Sequence, residues 1–401
     1  MPSVIEPPVS REEVGKFNNI TYVKYVGRFV GETACGRFAV PYEITAPANP
    51  KEASGVCLFE PRHFTSGTVV LNTLTRNFIF GGGISHATVR HRNFRLSGLD
   101  PDPVTDLTVC GKDFPKPGAG KDNDILREFA LALRQGAPAF MARVTHVLAA
   151  GISESANTVH EIYKPFGHRL FDLTLAFGGP YFEPVKIAGQ KPIIVFNTEG
   201  DFDPRAVARP DLPAYRFYAV AGAPHICDSI PGREAFPDPP KPGSPAPPVA
   251  GTTPINWLPI ARAVFTAGDQ WARKGVQPPA STTLNTDAQG NVLRDARGNA
   301  LGGIRHPALE AGEATFMASV VRDGWTLFGG YGNPRRLQAS EFDAYIKTFA
   351  KATKALVAAR FMSGPFGDTI IGMAGKHPPD TYTLNYMAGR FDDPRAGGQD
   401  D

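Results

Sequence analysis

VTHVLAAGISES, residues 144–155, is the stretch on which the fold turns. Its first part, 144–150, is short and almost wholly apolar, as a strand buried on both faces requires. From Glu154 onward the pattern is helical, so the chain must reverse within Gly151–Ser155. A strand that runs through one sharp turn into a helix lifts the central serine above the sheet edge, and small residues must flank it because strand and helix pack closely there. Gly151 and Ser155 are those small residues. Ser155 stands where a second glycine is usual, so the strict G-x-S-x-G pattern fails by one residue. The same residues also suit a plain strand-to-helix turn with Ser153 as an N-cap. The motif alone leaves both readings open.

Outward from this turn, strand-like runs alternate with helix-like ones. Strands are expected at 20–29, 36–44, 55–59, 84–89, 173–177, 193–197 and 216–220, and helices at 68–80, 122–135, 256–274 and 340–361. Alternation of this kind predicts an α/β fold with a mainly parallel central sheet flanked by helices. The first two strands look antiparallel. Residues 283–304 carry DAQGNV and DARGNA, two turn signals that predict a β-hairpin or small meander. The 42 Gly and 38 Pro are too few for a disordered chain and are spent on turns and loops. Proline concentrates in PGREAFPDPPKPGSPAPPVAGTTP, residues 231–254, which cannot hold regular structure.

Composition excludes several classes of partner. Lys+Arg 42 against Asp+Glu 39 gives a net charge of +3 with no basic run, which disfavours nucleic acid and anionic surfaces. No apolar run reaches a membrane span, and MPSVIEPPVSREEV has neither the basic nor the apolar region of a signal peptide. Cysteines at 35, 57, 110 and 227 are spaced too widely for a zinc site or a disulfide framework. A cytoplasmic protein is expected, with a homo-oligomer left open.

A serine nucleophile needs a general base, and the base needs a carboxylate to hold its tautomer. Downstream of Ser153, residues 191–203 read KPIIVFNTEGDFD: an apolar strand, then Glu199 and Asp201. Residues 216–228 read RFYAVAGAPHICD: another strand, then a glycine-containing loop with His225. Ser, acid and His in this order, each after a strand, is the arrangement the chemistry requires on a parallel sheet. Asp201, beyond the strand end, is preferred as the acid, with Glu199 as its alternative. Backbone N–H donors for an oxyanion are expected at Glu154 and in the loop after strand 55–59, at Arg62, His63 or Phe64. The His63 side chain either faces substrate or packs the loop. His86, His91 and His146 read as core or hydrogen-bonded residues. His160, His168, His306 and His377 show no metal-ligand spacing, so neither a metal nor a cofactor is expected.

With these residues in view, the chain resembles the bacterial and fungal "α/β hydrolase domain" esterases over roughly residues 20–360. Their G-Y-S-Q-S-G-R elbow matches Gly151-Ile152-Ser153-Glu154-Ser155-Ala156-Asn157, departing at Glu154, Ala156 and Asn157. Their T-E-x-D matches Thr198-Glu199-Gly200-Asp201, and their A-G-A-x-H matches Ala221-Gly222-Ala223-Pro224-His225. Their W-x-x-x-G-x-x-P-P matches Trp271 through Pro279. The resemblance implies an α/β-hydrolase fold and hydrolysis of a carboxylic ester.

The interval from Ser153 to Asp201 has room for a helix, a strand and short loops, but not for a cap domain. One domain over 1–401 is therefore expected, with a catalytic core at about 20–228 plus C-terminal helices, and lid elements at about 229–340. The 27 Phe include Phe166, Phe177, Phe182 and Phe202 near the catalytic elements, which suits a small-molecule ester with an apolar or aromatic acyl group, although core packing is the commoner use. Two other classes fit the same residues: an acyltransferase with an alcohol acceptor, and a non-catalytic binding protein on the same fold.

Overall fold

The computed structural model describes residues 3–33, 36–63, 67–91, 108–109, 122–135, 138–179, 189–207, 212–226, 255–322 and 325–376. They form two compact units. The first runs up to Ile194 and includes Trp271–Gly275; the second comprises Val195–Gln270 and the chain from Val276 onward. The boundary between the units falls inside a strand.

The first unit contains strands β1 (Val4–Ile5), β2 (Ser10–Phe17), β3 (Ile20–Thr33), β4 (Gly36–Pro47), β5 (Val56–Phe59), β6 (Ser85–Val89), β7 (Thr108–Val109), β8 (His146–Ile152) and β9 (Leu173–Phe177). Its helices are α1 (Val69–Leu74), α2 (Arg76–Phe80), α3 (Asp122–Gln135) and α4 (Glu154–Leu170). The sheet order is β1-β3-β4-β6-β5-β8-β9, with β2 also on β3 and β7 on β4. The β5–β6, β5–β8 and β8–β9 pairs are parallel, whereas β3–β4 and β4–β6 are antiparallel. The antiparallel start expected from the sequence is therefore present, extended by β2.

Every residue of β5, β6 and β9 is buried, as is β8 beyond His146. This explains the largely apolar runs of β5, β8 and β9, since strands buried on both faces need no polar side, whereas β6 buries Ser85, His86 and Thr88 as well. Around β5 the core is aromatic. Phe59 stacks on Phe171 at 5.8 Å between ring centroids, and Phe129 meets Phe29 edge-on at 5.1 Å. Cys57 is a buried free thiol in β5, and burial pushes its pKa up to about 12. Cys35, Cys110 and Cys227 lie outside the described residues.

The single helix expected over 68–80 is two helices. Thr75, at φ 71, ends α1, and its Oγ1 accepts from Phe78 N at 3.4 Å to start α2. At the other end of α1, the fully buried Glu60 carboxylate accepts from Val70 N (2.6 Å) and Leu71 N (3.2 Å). His86 Nε2, equally buried in β6, donates to the same carboxylate at 2.9 Å. One acidic side chain thereby satisfies three buried donors.

In the second unit β10 (Ile193–Thr198), β11 (Tyr215–Ala221) and β12 (Ile304–Arg305) lie side by side in that order, with β11 and β12 parallel. The helices are α5 (Leu258–Lys274), α6 (Pro307–Glu310), α7 (Phe342–Ala358) and α8 (Gly364–Ala374). An antiparallel hairpin, β13 (Thr315–Arg322) with β14 (Trp325–Gly332), is absent from the sequence reading. The expected meander is present, bridged at Leu284–Gly302, Thr286–Val292 and Arg294–Ala300. Its buried Asn299 ties it to β13: Nδ2 donates to Ala314 O at 2.9 Å, and Phe316 N donates to Oδ1 at 2.7 Å. So much of the expected lid region, 229–340, builds the framework of this unit. The proline-rich stretch itself lies outside the described residues. Among the described residues no helix is long and apolar enough to cross a membrane.

Glu313, between α6 and β13, is fully buried. Burial raises its pKa to about 7, against the opposing effects of the Tyr345 hydroxyl, which donates to Oε1 at 2.7 Å, and of the Arg335 charge. The folded state therefore holds this proton more tightly than the unfolded chain does. Stability from this group is full below about pH 4.5 and falls as pH rises toward about 7, by on the order of 2–3 kcal/mol. Glu313→Gln should flatten that part of the pH dependence of the urea midpoint. Glu60→Ala should lower the unfolding free energy from urea denaturation at neutral pH by about 3–5 kcal/mol, because three buried donors lose their acceptor.

Candidate active site

Ser153 stands between β8 and α4 at φ 59, in the left-handed region that residues with a side chain avoid. Its backbone is tied on both sides. Ser153 N donates to Phe177 O at 2.9 Å, and Ser153 O accepts from Ala156 N (3.0 Å) and Asn157 N (3.2 Å) to start the helix. Strand and helix approach so closely that a Cβ on Gly151 would lie 2.3 Å from Ser155 O and 2.6 Å from Ala156 N. Only glycine fits there. A Cβ on Gly179, just beyond β9, would lie 2.5 Å from the Ala156 Cβ, so 156 must also stay small.

Ser155, which replaces the usual second glycine, is fully buried and takes part in the turn. Ile152 N donates to its Oγ at 2.9 Å, and the same hydroxyl donates back to Ile152 O at 2.8 Å. The departure from the glycine pattern thus has a structural use: the hydroxyl closes the turn on itself. Glu154 opens α4. Its backbone N–H belongs to the first turn, whose amides point out of the N-terminal end of the helix, and its carboxylate lies where the helix dipole favours negative charge.

The residues expected to supply a second oxyanion donor separate on inspection. His63 N donates to Gly67 O at 2.8 Å, and Gly67 N donates back to His63 O at 3.1 Å. The His63 amide is thus committed within its own loop, which corrects its nomination as an oxyanion donor. The Arg62 side chain is drawn to Glu43, with Nη2 at 3.5 Å from Oε2. Phe64 lies outside the described residues, which leaves the Arg62 amide as the remaining described candidate.

In the second unit, Asp201 and His225 are brought together. His225 Nδ1 donates to Asp201 Oδ1 at 2.6 Å. The other carboxylate oxygen accepts from Thr198 Oγ1 at 2.7 Å, and Asn197 Nδ2 donates to the Asp201 carbonyl at 3.0 Å. Both side chains are nearly buried, at 10% exposure for His225 and 13% for Asp201, so water competes weakly for the bond. An acid that accepts from Nδ1 leaves Nε2 as the basic nitrogen. Glu199 does not reach the imidazole. Its Oε2 accepts from Gly222 N at 2.7 Å and its Oε1 from Arg294 Nη2 at 2.7 Å.

The loop that carries His225 is held residue by residue. Gly222 turns the chain at φ 72 after β11, with Leu309 and Phe316 so near that a Cβ would crowd both. Gly200 N donates to Ala223 O at 3.2 Å, Trp257 Nε1 to Pro224 O at 3.1 Å, and Ile226 N to Leu327 O at 3.0 Å. Trp257 and the β14 residue Leu327 are absent from the sequence reading of this site. Asp323-Gly324 between two apolar runs is a hairpin signal present in the sequence. Nothing local marks Arg294. Of the phenylalanines considered for an acyl pocket, Phe177 is buried in β9 and Phe202 packs against Phe217 at 6.3 Å. Phe182 and the Phe166 side chain lie outside the described residues. Among the described residues no cluster of three or more His, Cys, Asp or Glu could hold a metal.

A parallel strand that turns through a strained serine into a helix, with an Asp–His pair after later strands, is the pattern of an α/β-hydrolase. The chain belongs to the alpha/beta hydrolase domain family, whose match covers residues 41–371. No curated protein matches. Solved structures with a likeness to the chain include a ferulic acid esterase from Streptomyces cinnamoneus, at 16% identity and TM-score 0.38, covering 53% of this chain and 77% of that one. The esterase Est22 with p-nitrophenol aligns at 11% identity and TM-score 0.30, over 44% of this chain and 64% of its own. Two fungal esterases from Rhizomucor miehei are represented at 13% identity and TM-score 0.28, over 45% and 68%.

If the Ser155 hydroxyl closes the turn, Ser155→Ala should cost about 1–3 kcal/mol, because Ile152 N is then buried without that acceptor. Urea denaturation of the variant measures this.

Proposed function

We propose that the chain is a serine hydrolase that cleaves a small-molecule carboxylic ester through an acyl-enzyme on Ser153. The observation that carries the proposal is the left-handed backbone of Ser153 at a β–α turn, φ 59 in a residue with a side chain. Such strain costs on the order of 1–3 kcal/mol and persists where it is useful. The Asp201–His225 bond and the family membership support the same reading.

In the proposed reaction His225 Nε2 takes the Ser153 hydroxyl proton as Oγ adds to the ester carbonyl. Asp201, bonded to Nδ1, holds the required tautomer and stabilises the imidazolium. Backbone N–H groups at Glu154 and at Arg62 or Phe64 receive the oxyanion. The tetrahedral adduct collapses as His225 returns the proton to the departing alkoxide, releasing the alcohol. Water then adds to the acyl-enzyme by the same route in reverse, releasing the acid and restoring Ser153. No cofactor takes part in the proposed scheme. An apolar or aromatic acyl group is the proposed preference.

Two substitutions test nucleophile and strain together. Ser153→Ala should lower kcat on p-nitrophenyl esters by about 10⁴-fold or more and abolish labelling by a fluorophosphonate. Ser153→Gly should be equally inactive yet more stable than Ser153→Ala by about 1 kcal/mol, because glycine enters the left-handed region freely. Wild-type turnover in either variant would end the proposal.

A further inference from the structure

We infer that Glu199 and Arg294 form a clamp that positions His225, a role that rests on reading His225 as the general base. Glu199, Gly200 and Asp201 make a single 3₁₀ turn after β10, and each of them bonds to the His225 loop. The Glu199 carboxylate receives Gly222 N at 2.7 Å, Gly200 N donates to Ala223 O at 3.2 Å, and Asp201 receives the imidazole at 2.6 Å. The acid loop thus fixes the backbone of the His loop at two successive residues and its side chain at a third. Of these contacts, only those of Glu199 and Asp201 use a side chain.

The Glu199 bond falls on the residue that turns the loop. Gly222, at φ 72, sets the direction in which the chain leaves β11 and so where the His225 ring arrives. An ionised acceptor holds an N–H more strongly than a neutral one does. The charge must itself be offset, because the Glu199 side chain is only 5% exposed. Arg294 supplies the offset from the meander, and its Nη1 donates to Gly298 O at 3.1 Å, which fixes the guanidinium against the second turn. Arg294 is 45% exposed, so its loss leaves the packing of the unit nearly unchanged. Asn299, in that same turn, is bonded to β13, and β14 holds Ile226 through Leu327 O. Meander and hairpin therefore act on the His225 loop from two directions.

Glu199 on this account is a positioning residue, and its signature differs from that of the triad acid. In the full-length protein with a p-nitrophenyl ester, Glu199→Ala should lower kcat by about 10–100-fold with KM within about 2-fold, since a misplaced base loses rate without losing substrate. Its kcat/KM profile should move its acid limb to lower pH, because a loosened Asp201 bond stabilises the imidazolium less. Glu199→Gln should recover most of the loss, as an amide oxygen still accepts from Gly222 N. Arg294→Met should lower kcat by about 5–10-fold alone and by nothing further on top of Glu199→Ala, the non-additivity expected of one unit.

An unchanged kcat and acid limb in Glu199→Ala would overturn the clamp, as would full additivity with Arg294→Met. If Asp201→Asn kept near-wild-type kcat while Glu199→Gln lost about 10³-fold or more, Glu199 would be the triad acid and the clamp wrong, with the serine mechanism intact. Wild-type turnover in Ser153→Ala or His225→Gln would remove the mechanism and the clamp with it.

Discussion

The closeness of β8 to α4 is the constraint from which the Ser153 turn follows. A Cβ at 151 would sit 2.3 Å from the Ser155 carbonyl oxygen, so the strand can meet the helix only through glycine. Little chain is left to make the reversal, and Ser153 absorbs it by taking φ 59. The tight turn brings Ile152 N within reach of Ser155 Oγ, and the same closeness limits position 156 to a small side chain opposite Gly179. One steric condition thus accounts for the glycine at 151 and the small residue at 156, and it brings the Ser155 hydroxyl into the turn. The strain at Ser153 is held by its backbone bonds to Phe177 on one side and to Ala156 and Asn157 on the other.

A second constraint acts on the Asp201–His225 pair: polar groups that leave water must all find partners. Two acids, one residue apart, follow β10, and the donors around them assign different tasks. Asp201 lies opposite the imidazole and Thr198, while Glu199 lies opposite the Gly222 amide and the Arg294 guanidinium. The buried acid Glu60 behaves likewise in the first unit, where it caps α1 and holds His86. Such acids tie elements together because their alternative is an uncompensated charge in a low-dielectric interior.

The strands that carry the site were legible because they are buried on both faces and so are written as apolar runs. Residues 173–177 coincide with β9, and 193–197 fall one residue short of β10. The helix expected over 68–80 breaks at Thr75, which takes a backbone conformation that threonine rarely adopts, so nothing in its identity announces the break. For the β13–β14 hairpin the sequence does carry a local signal, Asp323-Gly324 between two apolar runs. Trp257 and Arg294 carried no local signal at all, since each acts across a long sequence separation.

The sequence by itself determined the alternation of buried strands and helices, the small residues that a strand-to-helix turn needs, and the order of Ser, acid and His. These are local properties, set by periodicity, side-chain size and backbone freedom. Only the tertiary structure decided between Asp201 and Glu199 as the partner of His225, and it committed the His63 amide to Gly67. It also gave the Ser155 hydroxyl its use. Each of those outcomes depends on which donor lies within about 3 Å of which acceptor, a distance that folding sets between residues remote in the chain.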